Sequence, residues 1–443
     1  MNTQVTTSSS ASERAQFVRA HLPAGGLFQD QHWRVATAPF PLGERVAREF
    51  QTLGRLLLQF YRAVNLLYRQ SATGKQPGWV ADWLDRGKPH HLIDLQRDSA
   101  FKNDVPRVIR PDILLTDLGL SIIELDSVPG GMGLTGWLNK TYSALNFPVL
   151  GGGEGMGRGF TSVFGEAPRV HIVVSEEAAT YRPEMEWLAS QLDGDRFHVQ
   201  ASSFTGFTKG EAVYRFFELF DLPNISTAQE ILDAARRGDI RLTPPPKTIF
   251  EEKMLFALLW NRNLQSFWRQ NLGESFFKRL QAIVPYTWIV DPTPLPPNAA
   301  IPEINLTDWQ QLKTLSQRER ELILKVSGFS EEAWGARGVY LGSDLSIDQW
   351  SAAVDKAVTF ADRSPYVLQR YHKPRLVESE YFDFESQKVV PMDGRVRLCP
   401  YYFVAGEGDA ARAELGGVLA TICPADKKII HGMKDAILAP GVE

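Results

Sequence analysis

The chain is poor in the residues that mark many catalytic and metal chemistries. It has two cysteines, Cys399 and Cys423, among 443 residues. Both sit in apolar, strand-like settings well apart in sequence. They read as two buried thiols in a reducing cytosol, without the partners that a disulfide framework or a metal cage needs. The eight histidines form no His-Glu-x-x-His pair, and His90 and His91, as neighbours, would face opposite ways on a strand. No Gly-x-Ser-x-Gly turn is present to raise a nucleophilic serine. Positive charge is not in surplus. The formal net charge is −4, which argues against non-specific nucleic-acid binding, although one local cationic cluster would serve a nucleotide's phosphates. No run of eighteen apolar residues occurs, so no membrane-spanning segment is expected. The Ser/Thr-rich first dozen residues lack the apolar core of a secretion signal, and a cytoplasmic location is expected.

What is present describes a globular protein. Hydrophobic residues make up 44% and charged residues 23%, enough to bury a large core, and the length suggests about three domains. From Arg45 to Arg69, apolar residues from Phe50 to Leu67 recur at helical spacing and predict a long amphipathic helix. Val108–Thr116 and Leu120–Leu125 read as strands of a hairpin with Asp117-Leu118-Gly119 as its loop. The stretch Gly151–Gly159 fits no Gly-x-Gly-x-x-Gly frame and predicts a mobile loop or linker. Val170–Val174 and Phe197–Ala201, with a helical stretch between, predict a small Rossmann-like unit. Ser226-x-x-Gln229 and Ser346-x-x-Gln349 have the form of capping boxes. The five prolines of Asp291–Glu303 exclude regular structure there, and the chain turns β-rich after Glu321.

The richest cluster of charge is Arg110-Pro111-Asp112 followed by Glu124-Leu125-Asp126. Residues two apart on a strand share a face. Whether the two pairs share one face depends on register, because a one-residue slip flips every side chain. A three-residue loop with Gly119 in its third position would set Asp112 opposite Glu124. Three carboxylates beside one arginine call for a further counter-ion. Short oxygen ligands of this kind suit Mg²⁺, which takes one or two carboxylates and fills its shell with phosphate oxygens and water. The plainer reading is a solvated hairpin face, but the apolar surroundings Ile113, Leu114, Leu115, Ile122 and Ile123 favour a buried hairpin and a metal.

Three weaker signals follow. Lys325 ends a strand and precedes a loop bearing Gly328, Gly335, Arg337 and Gly338, whose backbone N–H groups could cradle phosphates. Gln369 lies on the strand Tyr366–Tyr371, where it could help to meet an adenine edge. Lys253 lies in an amphipathic helical stretch reaching Trp260, where a lysine ordinarily faces solvent. Taken singly, each has an ordinary structural explanation. Eleven tryptophans and paired acids could also suit a glycoside hydrolase, but nothing in the sequence places two acids across a sugar cleft.

Taken in order, these pieces resemble the circularly permuted ATP-grasp ligases, the family that includes glutathionylspermidine synthetase. Arg110, Asp112 and Glu124 keep the family's spacing for its arginine and metal ligands, while Asp126 stands where the family usually has asparagine. The segments around Lys253, around Lys325, from Gly328 to Gly338 and around Gln369 resemble its nucleotide-binding helix, strand lysine, phosphate lid and clamp strand. The lid departs from the family in carrying Glu331, Glu332 and Trp334. The acids precede the lysines, which is the permuted order.

The resemblance implies a mixed α+β and α/β fold. Residues 1–100 form an N-terminal tail and helical region, 101–165 the metal-ligand half of the ATP-grasp, 166–245 a Rossmann-like segment, and 246–443 the nucleotide-clamping subdomains. It also implies an ATP- and Mg²⁺-dependent ligase that joins a small-molecule carboxylate to an amine through an acyl phosphate. Asp112, Glu124 and Asp126 would hold the metal. Lys253, Lys325, Gly335, Arg337, Gly338 and Gln369 would hold the nucleotide, and Arg110 would stabilise the transferring phosphoryl group. Ser175, Arg182 and Arg215 are acceptor-site candidates of ordinary structural appearance. The alternative is a catalytically silent nucleotide-binding protein acting as a regulator or partner. No nucleic acid or membrane is expected as a partner, and a homodimer is admitted though no motif selects it.

Overall fold

The computed structural model describes residues 9–30, 32–333, 337–430 and 432–443. Three sheets organise these residues. The main sheet has eight strands, and its central path runs Arg34–Val35, Ile437–Val442, Arg412–Pro424, Lys388–Ala405, Val108–Thr116 and Gly119–Asp126. The hairpin that carries the acids is therefore built against the C-terminal strands, and Lys388–Ala405 pairs with it antiparallel. A second sheet of four antiparallel strands, here the clamp sheet, runs Val339–Leu341, Leu322–Val326, Tyr366–Arg370 and Thr287–Ile289. The third sheet is parallel, with Phe197–Ala201, Val170–Val174, Ala212–Phe216 and Arg241–Thr243 side by side. Its β-α-β order is the expected Rossmann-like pattern.

The expected long helix spans Glu44–Ala72 and buries Phe50, Leu53, Leu56, Leu57, Phe60, Tyr61, Val64 and Leu67. It lies on the face of the main sheet that carries Tyr402, whose hydroxyl donates to the Phe50 carbonyl at 2.7 Å. Ile109 pairs with Tyr402 across the strands, so Arg110 and Asp112 alternate onto the opposite face.

Three local expectations are corrected. The glycine-rich stretch is no linker, because Gly155–Ser162 is a helix packed on the main sheet. A Cβ on Gly159 would meet the Phe403 ring at 2.2 Å, so glycine serves close packing at this point. Ser226 makes no cap, since the helix Ala228–Arg237 starts after Thr227 without a side-chain capping bond. Lys253 precedes its helix, which spans only Leu255–Trp260. By contrast, Ser346 and Gln349 form the expected capping box. No helix among the described residues is long and apolar enough to cross a membrane.

The helix Met132–Ala144 joins the main and parallel sheets by packing against Arg182–Ser190. The Glu184 carboxylate accepts from the N–H groups of Gly131 (2.6 Å) and Leu134 (3.0 Å), capping that helix's start. A Cβ on Gly133 would lie 1.9 Å from the Glu184 carbonyl oxygen. Backbone must move to admit it, so Gly133→Ala should destabilise the fold by about 1–3 kcal/mol. The urea unfolding midpoint measures this, and an unchanged midpoint would refute the close approach.

Candidate functional site

The acidic hairpin reaches its expected pairing by an unexpected route. Thr116 pairs with Gly119, so the loop has two residues, Asp117 and Leu118, and the expected three-residue loop is corrected. A two-residue loop alone would place Asp112 and Glu124 on opposite faces. The register shifts after Asp112, however, with Ile113 opposite Ile122 and Asp112 opposite Glu124. Ile123 is the extra residue of a β-bulge, which restores the acids to one face. Its carbonyl accepts from the Lys325 amine at 3.1 Å.

The acids are then divided among cations. Arg110 Nε donates to Asp112 at 3.0 Å, its Nη2 pairs with Asp126 at 2.9 Å, and its Nη1 donates to the Gly130 carbonyl at 3.0 Å. Arg397, from the neighbouring strand, pairs with the other Asp112 oxygen at 3.1 Å. The Cys399 thiol lies 3.4 Å from Asp112, and burial pushes its pKa up to about 12, so it stays a thiol. Glu124 pairs with Lys253 at 3.0 Å. The counter-charge absent from the local sequence is thus supplied by Arg397 and Lys253. Removing one partner of such a buried pair ordinarily costs about 3–5 kcal/mol, because the other charge is left uncompensated.

The three carboxylates do not meet at one point. Among the described residues, no group of three or more Asp, Glu, His or Cys side chains stands ready to hold a metal. Asp112 is nearly closed off at 6% side-chain exposure, whereas Glu124 is open at 36%. Burial raises the pKa of Asp126, and Arg110 offsets this only in part. Burial also disfavours charge on Glu124, but Lys253 and Lys325 outweigh it and hold its pKa below the ordinary carboxylate value. Glu124 is therefore the charged carboxylate most accessible to a cation.

The two lysines come from separate stretches yet share one anchorage. Ser327 accepts the Lys253 N–H at its carbonyl and the Met254 N–H at its hydroxyl, each at 2.9 Å. Ser327 also bonds Glu252, which forms a 2.5 Å ion pair with Lys88, both side chains fully enclosed. This tie, which sequence spacing does not reveal, aligns Lys253 with the strand of Lys325. Lys253 also donates to the Ala333 carbonyl at 3.0 Å. Gln369 accepts from Lys325 at 2.9 Å and donates to Thr287 at 3.2 Å, so its side chain holds the lysine and is not turned to a base edge. Gly338 donates its N–H to the Glu332 carbonyl at 2.8 Å, and Arg337 pairs with Glu177 at 2.9 Å. Gly335 lies outside the described residues.

The acceptor candidates have structural roles. Arg215 is buried against Glu251 at 2.7 Å. Arg182 donates to the carbonyls of Val174 and Gln200, and Ser175 accepts the Ala178 N–H.

Asp112, Glu124, Lys325, Gln369 and Arg397 line a narrow cleft of about 70 Å³ between the hairpin and the clamp sheet, with Ile123, Ile323 and Val339 as apolar walls. Its chemistry is that of an anion site with one accessible carboxylate. Burial lowers the Lys325 pKa to about 8 despite Glu124, with Lys253 adding to the depression. Between that value and the ordinary lysine value, the unfolded chain holds a proton that the folded one has released. Lys325 thus makes folding stability rise with pH across this window. Relative to Lys325→Met, the wild type should gain on the order of 2 kcal/mol from pH 7.5 to 9.5. Parallel pH dependences of the unfolding free energy would show that the amine is not depressed.

No protein-family model and no curated protein sequence matches the chain. Comparison with solved structures does find similarity. A glutathione synthetase-like effector from Globodera pallida, in its apo form, superposes with a TM-score of 0.58 at 10% identity, covering 97% of this chain and 95% of that one. A protein from Methylobacillus flagellatus KT, provisionally described as a gamma-glutamylcysteine synthetase, gives a TM-score of 0.41 at 10% identity, covering 91% and 89%. The first likeness spans nearly the whole of both chains, so this protein has a fold shared with a glutathione synthetase-like protein.

Proposed function

We propose that the chain binds Mg·ATP in the cleft between the acidic hairpin and the clamp sheet. There it joins a carboxylic acid to an amine through an acyl phosphate, in the manner of the circularly permuted ATP-grasp ligases. The observation that carries this reading is the meeting of three separate parts of the chain at one place, where Lys325 and Glu124 line the cleft and Lys253 pairs with Glu124. Lys325 in particular is buried and, among the described residues, has only neutral oxygens, those of Ile123 and Gln369, as hydrogen-bond acceptors. A desolvated amine so placed is matched by phosphate oxygens.

The residues fit the nucleotide and its metal in this way. Lys253 and Lys325 hold the phosphates. Glu124, with Asp126 behind it, offers the one or two carboxylates that Mg²⁺ takes alongside phosphate oxygens. The metal supplies neutralisation of the charge that builds during phosphoryl transfer. Arg110 spends three of its five N–H groups on Asp112, Gly130 and Asp126, leaving two to steady the transferring group. Closing the cleft excludes the water that would hydrolyse an acyl phosphate.

The narrowness of the cleft favours a second reading, a nucleotide-binding protein without turnover. Ligand pockets ordinarily need about 300 Å³ or more, so ATP requires the clamp to open, and a clamp that opens without closing productively would be silent.

Calorimetric titration with ATP tests the proposal. The folded wild type should bind ATP in the presence of Mg²⁺, and Glu124→Gln should lose the metal-dependent part, at least about tenfold in affinity. Release of ADP with a matched acid and amine then separates a ligase from a silent binder. Absence of any ATP binding by the folded wild type would end both readings.

A further inference from the structure

A more spacious cleft, about 810 Å³, opens away from the nucleotide site. It lies where the long helix, residues 103–107, the end of the Arg241–Thr243 strand and the turn at 404–411 meet. The long helix packs on the Tyr402 face of the main sheet, opposite the face that carries Arg110 and Asp112. The two clefts are therefore separate.

Arginines outnumber carboxylates in this lining, in a chain whose net charge is −4. Arg62, Arg69, Arg107 and Arg241 all border the cleft, and three carboxylates, those of Asp104, Glu407 and Asp409, border it too. Glu407 answers Arg107 at 2.9 Å and Arg241 at 3.3 Å. Among the described residues, the Arg62 side chain donates only to the Gly408 carbonyl, at 2.5 Å, and the Arg69 side chain makes no hydrogen bond or ion pair. Behind the wall, Lys247 is fully buried, and its amine is met by the Asn65 side-chain oxygen at 2.8 Å and the Asp104 carbonyl at 2.9 Å. Burial lowers its pKa to about 7, and Arg69 adds to the lowering although Asp104 opposes it.

A second, independent sign is polar. Thr243 borders the cleft at 2% exposure, and its hydroxyl has no hydrogen-bond partner among the described residues. A buried hydroxyl left unpaired is costly, so such a group ordinarily has a ligand or an ordered water. Four arginines against three carboxylates leave the lining with surplus positive charge, which a bound anion would balance.

We propose that this cleft is a binding site for a small polyanion, one bearing phosphate or carboxylate groups, held by Arg62, Arg69 and Arg241 with Thr243 as a hydroxyl donor. Guanidinium forks bind either oxyanion in bidentate fashion, which is the chemistry the two ligand types share. The site does not depend on the nucleotide reading.

Calorimetry at low ionic strength, with pyrophosphate and citrate as probes, tests it. The wild type should bind at least one probe with unit stoichiometry, and the preferred probe identifies phosphate or carboxylate as the natural group. Arg69→Gln with Arg241→Gln should weaken that binding at least tenfold. Thr243→Val, which removes a hydroxyl with no partner and so leaves the fold intact, should weaken it several-fold. Lys325→Met should leave it unchanged. The proposal fails if neither probe binds the wild type at millimolar concentration, if the arginine and threonine variants bind as the wild type does, or if Lys325→Met abolishes binding.

Discussion

The site rests on the burial of one carboxylate, Asp112, between two guanidiniums. Arg110 holds it along its own strand, and Arg397 holds it from the neighbouring strand. Arg110 then reaches Asp126 on the second hairpin strand and Gly130 beyond it. Three strands and the start of the Met132–Ala144 helix are thereby tied at one place. An enclosed carboxylate stays charged by such pairing, and of the two acids that line the cleft it leaves Glu124 the more open.

Glu124 owes that position to a bulge. The two-residue turn would have turned it away from Asp112, and Ile123 as an unpaired extra residue turns it back. The same residue presents its carbonyl to Lys325, so one irregularity both sets the acid's face and anchors the lysine. Where the clamp sheet faces the hairpin, Lys325 bonds the Ile123 carbonyl, and Lys253, tied to that sheet through Ser327, pairs with Glu124. Contacts of this kind can exchange for a charged ligand at small net cost, which a packed apolar interface cannot do.

Charge is distributed differently at the two clefts. In the narrow one, each carboxylate has a cation, and the lysine in surplus is held by neutral oxygens. In the spacious one, Glu407 serves two arginines, while among the described residues Arg62 has a carbonyl and the Arg69 side chain no polar partner. A net charge near zero for the whole chain conceals both arrangements, because total charge says nothing about placement. The fold itself, shared at 10% identity with a synthetase-like effector, supports either use, since function resides in the site and not in the architecture.

Much of the architecture was legible in the amino-acid order. Helical spacing marks the long helix, β-branched runs mark the hairpin and the parallel sheet, and Ser346 with Gln349 marks a helix start. These are local regularities, set by backbone geometry within a few residues. The order and spacing of charged and polar residues also brought Asp112, Glu124, Lys325 and Gln369 into view as candidates, and the family resemblance added Lys253. The tertiary structure alone decided what each one does. It brought Arg397 to Asp112, Lys88 to Glu252 and Ser327 to Lys253, pairs drawn from distant stretches of the chain. It packed the glycine-rich stretch as a helix because Phe403 lies against Gly159, and it committed Gln369 to Lys325. A charge close in sequence can be counted, but the charge that balances it is chosen by the fold, because burial makes pairing obligatory and only folded geometry determines which partner is within reach.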